Sequence, residues 1–509
     1  MAALTSEERA LLRSGAHRFR LFFVVWGTWQ IQVQTPLLTD PVTGEPTQST
    51  YIRPNDLRPV LNIGSHRLAF VGEPITFDAS RSWRRDGTNV TGGTWSFVGG
   101  TPASASGVGP HQVSWSAPGL YTVSYSNSGV TATRWVRVYQ DRMALPYEVA
   151  TVGSVTGTVE QGWRMELTVM PNDVTNPAVD LADFQAVGLY CEEEWWDGTA
   201  WVRQPIGNYE PEPRLVMSGY IEQGTIQRTA ETHAVSFSVG NLTGQLANAT
   251  VHTMHHWNAT FDVPTESAGM IFEGFTKLTT PDIVLWVLQA YTNVLPYHDF
   301  TTWYDNSQQN ISELSSQEGT LLDALRGWAE AEFAWLFADA GNGLRLIPNP
   351  HIRSENRFGE LYPFRADLID ADAFSIQVQE DLQRNVVWVQ VQGVRIRDGK
   401  QFLGRYPGKT PPTGPGTWLV KDRLAIHSQA FADLLAENFY RDANRRYSAT
   451  ITQGLNRAIG VPERIRISID LPDRGLAWED KAFLVEQVSY AIDVAAGSWQ
   501  TTLTAKEIL

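Results

Sequence analysis

Four groups of residues have types and spacings that could do chemistry. His252, His255 and His256 stand at i, i+3 and i+4, so on a helical turn their imidazoles would converge on one metal ion. They lie in a Thr- and Asn-rich stretch with no obvious carboxylate partner, which favours plain polar histidines over a metal site. Asp367, Asp370 and Asp372 offer oxygen ligands at short spacing. The turn glycine and distal Glu of a calcium loop are missing, so the simpler expectation is a solvated acidic turn opening a helix. Glu192, Glu193 and Glu194 are consecutive, and consecutive strand residues face opposite ways. All three therefore share no acid–base site, and the run is expected to form an exposed or inter-subunit face. Trp195, Trp196 and Trp201 flank Asp197-Gly198; such rings stack on sugars or, as favoured here, pack a core. The sequence has no glycine-rich phosphate loop, nucleophile elbow or His-Glu-x-x-His pair. Catalytic, cofactor-binding and metal sites are accordingly expected to be none, with His252, His255 and His256 the strongest metal candidates.

The elements that must position these residues are mostly strands. Nineteen Trp, 41 Gly and 27 Pro in 509 residues fit a strand-and-turn architecture, and the length suits about three to four domains. The formal charge of −15, from 40 basic and 55 acidic residues, argues against sequence-independent nucleic-acid binding, which needs clustered cations to displace counterions. An acidic wall can still line a channel that DNA traverses without sticking. Cys191 is the single cysteine, so an intrachain disulfide and a Cys-based zinc site are excluded. Acidic residues near the N-terminus, and an apolar run Leu21 to Trp26 too short to span a bilayer, predict a soluble chain made in a cytoplasm.

Along the chain, a short helix is expected at 6–15 and strands at Phe19 to Gln34, followed by a Pro- and Thr-rich connection. Residues 1–62 thus read as a strand-rich arm and connection. Residues 63–140 carry short strands separated by Gly and Ser, the pattern of a small sandwich. Residues 141–269 are again β-rich, with a hairpin turn at Asp197-Gly198. Residues 270–372 form a mixed α+β unit with an apolar helix Pro281 to Thr292. Its second half is one supersecondary unit: Leu321, Leu322, Leu325 and Ala329 at helical spacing behind Thr320 as N-cap, then strands Ala334 to Asp339 and Leu344 to Ile347 across Gly341-Asn342-Gly343. Residues 373–509 hold the alternating strand Asn385 to Gly393, a Gly- and Pro-rich excursion, a helix Leu424 to Arg445 and three closing strands.

Two resemblances attach to these residues. Gly72-Glu-Pro-Ile-Thr-Phe-Asp-Ala-Ser-Arg-Ser, Thr94-Trp-Ser-Phe and Pro118-Gly-Leu-Tyr-Thr-Val resemble immunoglobulin-like domains of the polycystic kidney disease (PKD) type. The helix–hairpin unit from Gln317 to Pro348, the entry Arg384-Asn385-Val386 and the order of strands over roughly 145–509 resemble the hub proteins at the tip of phage tails and related injection machines. That resemblance implies a mainly β chain with an α+β middle domain and two hub-type β-barrels, at 141–269 and 373–509. It implies a homotrimer at the virion tail tip, assembled in the host cytoplasm, that joins the tail tube to a spike or fibre and lines the DNA channel. The implied partners are a distal tail or tail-tube protein, a tape measure protein and a spike or fibre protein, with no sequence-specific nucleic-acid binding, no membrane segment and no enzymatic activity. A glycan-binding or glycan-degrading protein and a receptor-binding adhesin are the rivals. Barrel strands such as Asn385 to Gly393 are expected to be completed by neighbouring subunits. The sandwich is expected to project as a spacer in series, leaving 141–509 able to fold alone.

Overall fold

The computed structural model describes residues 16–28, 38–39, 46–47, 59–84, 89–172, 181–203, 214–249, 254–257, 270–273, 280–292, 320–349, 364–369, 373, 375–380, 385–395, 400–426, 428–457, 459–471 and 476–508. One large, mostly antiparallel sheet dominates. Its strands run His17–Thr28, Gln185–Trp196, Leu215–Ile221, Val235–Gly240, Gly162–Pro171 and Tyr147–Thr158. They continue without a break into Leu476–Asp493, Ser498–Glu507, Tyr447–Gln453 and Ser375–Glu380. Glu463–Leu471 and Phe364–Ile369 branch from Leu476–Asp493. Strand alternation decides what is buried: Trp163, Met165, Leu167 and Val169 face inward on one strand, Trp499, Leu503 and Ala505 on another. Both halves contribute to a single apolar core, from Phe23 and Trp163 to Ile465, Tyr490 and Leu503.

The two separate barrels expected from the sequence are therefore fused. The first half curls until the Phe23 ring lies 6.0 Å from Tyr147, yet His17–Thr28 and Tyr147–Thr158 share no ladder. Tyr147–Thr158 instead gives its free edge to the second half. The strand His17–Thr28, outside the span expected for the first barrel, is part of this sheet and contributes Phe23 and Val25 to its core.

The segment expected to be an immunoglobulin-like domain forms a five-stranded sheet and a three-stranded sheet. Their inward residues, among them Phe77, Trp95, Phe97, Trp115 and Tyr125, make one core. The helix–hairpin unit forms as the sequence implies. Thr320 and Asp323 make a reciprocal capping box for helix Leu321–Ala331. The hairpin Ala334–Ala338 with Leu344–Pro348 turns at Asn342, whose φ of 64° is the left-handed conformation such turns require. Its two faces serve two cores: Phe337 and Ile347 join the large sheet, while Leu336 and Leu346 pack with Leu325, Val284 and Leu288. Helix Thr280–Tyr291 corresponds to the apolar helix expected there.

The strand Val386–Arg395 departs from expectation. It is the centre of a separate three-stranded sheet, antiparallel to Lys400–Tyr406 and parallel to Thr417–Ala425. Both its edges are occupied within the chain, so it leaves nothing for a neighbouring subunit to complete. Helix Gln429–Ala443 covers this sheet, with Phe431, Leu435 and Phe439 against Val389, Val391 and Phe402. The helix approaches so closely that a Cβ at Gly404 would stand 1.9 Å from the Ala432 carbonyl oxygen. Among the described residues, no helix is long and apolar enough to cross a membrane.

Candidate functional site

The joint between the two halves is built on one strand, Leu476–Asp493, of 18 residues. On one edge its first part pairs with Glu463–Leu471, from Leu476↔Leu471 to Val485↔Glu463. The same edge then passes to the first half, from Gln487↔Thr158 to Tyr490↔Val155. On the other edge Ser498–Glu507 runs alongside, with a register shift between Val485 and Gln487. Glu486 is the extra residue. A bulge there bends the strand and increases its local twist, at the point where the edge changes partner.

Ion pairs hold the bulge. The Glu486 carboxylate accepts from Arg445 at 2.9 Å and from Lys506 at 2.6 Å, and Arg445 also reaches Asp442 at 3.1 Å. Beside it opens a cleft of about 870 Å³, whose walls include Thr158, Glu330, Lys421 and Arg445. Lys421 pairs with Glu330 across this cleft and lies 5.1 Å above the Phe439 ring. The separate three-stranded unit is thereby tied to the helix–hairpin unit.

A second tie is buried. Glu193 and Arg457 have side chains each 1% exposed and form an ion pair, and Arg457 also donates to the Leu215 carbonyl at 2.8 Å. Glu193 belongs to the first half, Arg457 to the segment after Tyr447–Gln453 in the second. Charges so deeply buried are tolerable only when paired and hydrogen-bonded.

The sandwich is fixed to the first half by apolar and polar contacts. Phe22, Val24 and Trp26 of the N-terminal strand, with Tyr190 and Leu215, pack against Leu68 and Phe70 of the sandwich. His66 sits between Trp26 and Trp135, ring centroids 5.0 and 4.9 Å away, and its Nδ1 accepts from the Trp135 amide at 3.0 Å. Burial, aided by the Arg134 charge, lowers its pKa to about 3, so the ring is neutral. Arg137 donates to the Val25 carbonyl at 3.0 Å, and the Tyr190 hydroxyl to that of His66 at 2.9 Å. Around this patch Arg214 pairs with Glu73 at 2.8 Å, while Arg142 grips Glu192 with two bonds of 2.7 and 2.8 Å. The sandwich thus lies against the sheet.

The residues singled out by sequence are dispersed. Glu192 and Glu194 share a face with arginines, whereas Glu193 faces inward; the alternation holds, but the run is an intrachain charge lattice and not an exposed face throughout. Trp195 is buried in the core, whereas Trp196 and Trp201 are 38% and 40% exposed. Cys191 is buried, and burial raises its thiol pKa well above the ordinary value. His255 and His256 lie on the extended strand Met254–Trp257, paired in parallel with Met270–Glu273, so the helical turn that would gather the histidines does not form there. His252, Asp370 and Asp372 fall outside the described residues, and Asp367 is on strand Phe364–Ile369. Among the described residues, no three His, Cys, Asp or Glu residues come together as a metal site. Sequence reasoning missed Arg457, Glu486 and His66. Arg457 meets a partner 264 positions away, and no local spacing signals such a pair.

No protein-family model and no curated protein matches the chain. Solved structures do show likeness. A tail protein from Neisseria meningitidis MC58 is similar at 13% identity and a TM-score of 0.42, over 76% of this chain and 97% of that one. The 43 kDa tail protein of prophage MuSo2 from Shewanella oneidensis gives 12% and 0.41, over 70% and 97%. An E. coli component of the type VI secretion system, described as structurally similar to the T4 bacteriophage tail proteins gp27 and gp5, gives 10% and 0.38, over 71% and 74%. At these identities and TM-scores no function passes from them to this chain.

Proposed function

We propose that this chain is a structural component of a phage tail or a related injection particle, a hub at the tail tip whose role is mechanical. The strand shared by both halves carries this reading. Hydrogen bonds run across the joint from Val155 to Tyr490, and the Glu193–Arg457 pair crosses it a second time. The halves are therefore one stiff body, as a collar that must hold its shape around a passing genome requires. The sequence resemblance to tail hubs supports the finer reading: a homotrimer whose two halves per subunit present six similar units to the tail tube and three-fold symmetry to a spike or fibre. Tail-tube and tape measure proteins would be its other neighbours, and an acidic lumen would let DNA slide.

Native mass measurement of the full chain, with electron microscopy of particles carrying a labelled copy, tests this. A trimer located at the tail tip is expected. A monomer or dimer within the particle would overturn the trimer, and label absent from the particle would overturn the hub. A screen on glycans and peptidoglycan should find no turnover; robust turnover lost on changing one carboxylate would make the chain an enzyme.

A further inference from the structure

One face of the first half displays a side-chain lattice outside the joint. Three strands lie side by side there, Gln185–Trp196 between His17–Thr28 and Trp201–Arg203. Arg18 is opposite Glu194, and Glu194 is opposite Arg203; Arg20 is opposite Glu192, and Trp196 is opposite Trp201. Glu194 accepts from Arg18 at 2.5 Å and from Arg203 at 3.3 Å, and these bonds hold its pKa below the ordinary carboxylate value. The Arg18 guanidinium lies 4.6 Å above the Trp201 ring, whose centroid is 5.7 Å from that of Trp196. A hollow of about 400 Å³ opens among Arg18, Arg20, Glu192, Glu194 and Arg203. Arg20 is exposed and makes a weak contact with Met143 Sδ at 4.0 Å.

We infer that this hollow binds a saccharide carrying a carboxylate. Beside the hollow, Trp196 and Trp201, 38% and 40% exposed, offer a sugar ring the indole area that Arg18 does not cover. Glu192 and Glu194 can accept from hydroxyls, and Arg20 has donors to take a carboxylate bidentately. Three arginines against two glutamates leave local positive charge on a chain of net −15, which selects an anionic ligand over a neutral one. A peptide fits less well. Residues 194 and 195 have ladder partners on both sides, so a peptide has no strand edge to extend at Glu194, and side chains must do the reading there. The inference is independent of the tail-hub reading, and neither stands or falls with the other.

The test uses the full-length protein and a panel of oligosaccharides ending in galacturonic, glucuronic or sialic acid, each with its neutral counterpart, followed by calorimetry and tryptophan fluorescence. At least one acidic saccharide should bind at least ten-fold more tightly than its neutral form. Trp201→Ala and Arg20→Ala should each weaken that binding at least ten-fold. Arg20→Ala, at an exposed position, should unfold at the wild-type temperature, so its loss of binding reports the site. Binding by no acidic saccharide, equal binding of the neutral forms, insensitivity to both substitutions, or tighter binding of a hexaglutamate peptide would overturn it.

Discussion

Replacing Arg457 by Met removes one half of a pair whose other half cannot reach water. Glu193 is 1% exposed by side chain, and its Oε2 already lacks a hydrogen-bond partner among the described residues. Met nearly fills the volume, so little of the loss comes from a cavity. What is lost is the compensation of a buried carboxylate and the bond to the Leu215 carbonyl. Breaking a buried pair from one side costs about 3–5 kcal/mol, a factor of roughly 10² to 10³ or more in the folding equilibrium. Replacing both, as Glu193→Leu with Arg457→Met, removes the stranded charge and should recover most of that loss, since apolar substitutes for buried pairs are often neutral or stabilising by about 1–4 kcal/mol. Urea unfolding of the four proteins of this double-mutant cycle measures the coupling. If Arg457→Met alone costs under about 1 kcal/mol, the pair behaves like a surface one, and the claim that it ties the halves together is wrong.

Acid should loosen the sandwich. His66 has a folded pKa of about 3 against 6.5 unfolded, so its contribution is complete above pH 6.5 and falls as pH drops towards 3, reaching a loss of about 2 kcal/mol at pH 5. Protection against hydrogen exchange at 22–26 and 66–70, taken relative to the intrinsic rate at each pH, should fall over that range, and His66→Gln should flatten the dependence. Excising residues 59–140 should expose Phe22, Val24, Trp26 and Leu215 and yield an aggregating product by size-exclusion chromatography; a soluble, cooperatively unfolding remainder would support the spacer reading. Deleting Glu486 removes the bulge and slips one part of its strand by a residue. Because alternate residues face opposite ways, Val488, Tyr490 and Ile492 would turn from the core, and the protein should fail to unfold cooperatively by calorimetry.

Much of this architecture was legible wherever its cause is local. The capping residues Thr320 and Asp323 and the turn at Asn342 are written within a few positions of the elements they end. Alternation in Glu192 to Glu194 foretold that the middle carboxylate would leave the company of the other two. It could not foretell an interior partner, because period two says which residues share a face and is silent on what covers it. The same silence misplaced Asn385 to Gly393: an alternating strand reads alike in a barrel or in a small sheet under a helix, and the parallel partner Thr417–Ala425 lies beyond a Gly- and Pro-rich excursion. The histidine spacing raised a possibility that local conformation removes. Helical convergence presupposes a helix, and Met254–Trp257 pairs as a strand.

The shared strand also sets the order of events during synthesis. Val155 emerges from the ribosome long before Tyr490, its ladder partner. At about 5–20 residues per second the edge of Tyr147–Thr158 waits on the order of tens of seconds for its neighbour. Arg457 likewise arrives late for Glu193, which has meanwhile no cation to enter the core with. The N-terminal two-thirds of the chain must therefore pass this interval incomplete, with a strand edge open to any other chain. A second copy made on the same message offers the same open edge within an overlapping interval, so pairing between nascent chains competes with completion of the sheet.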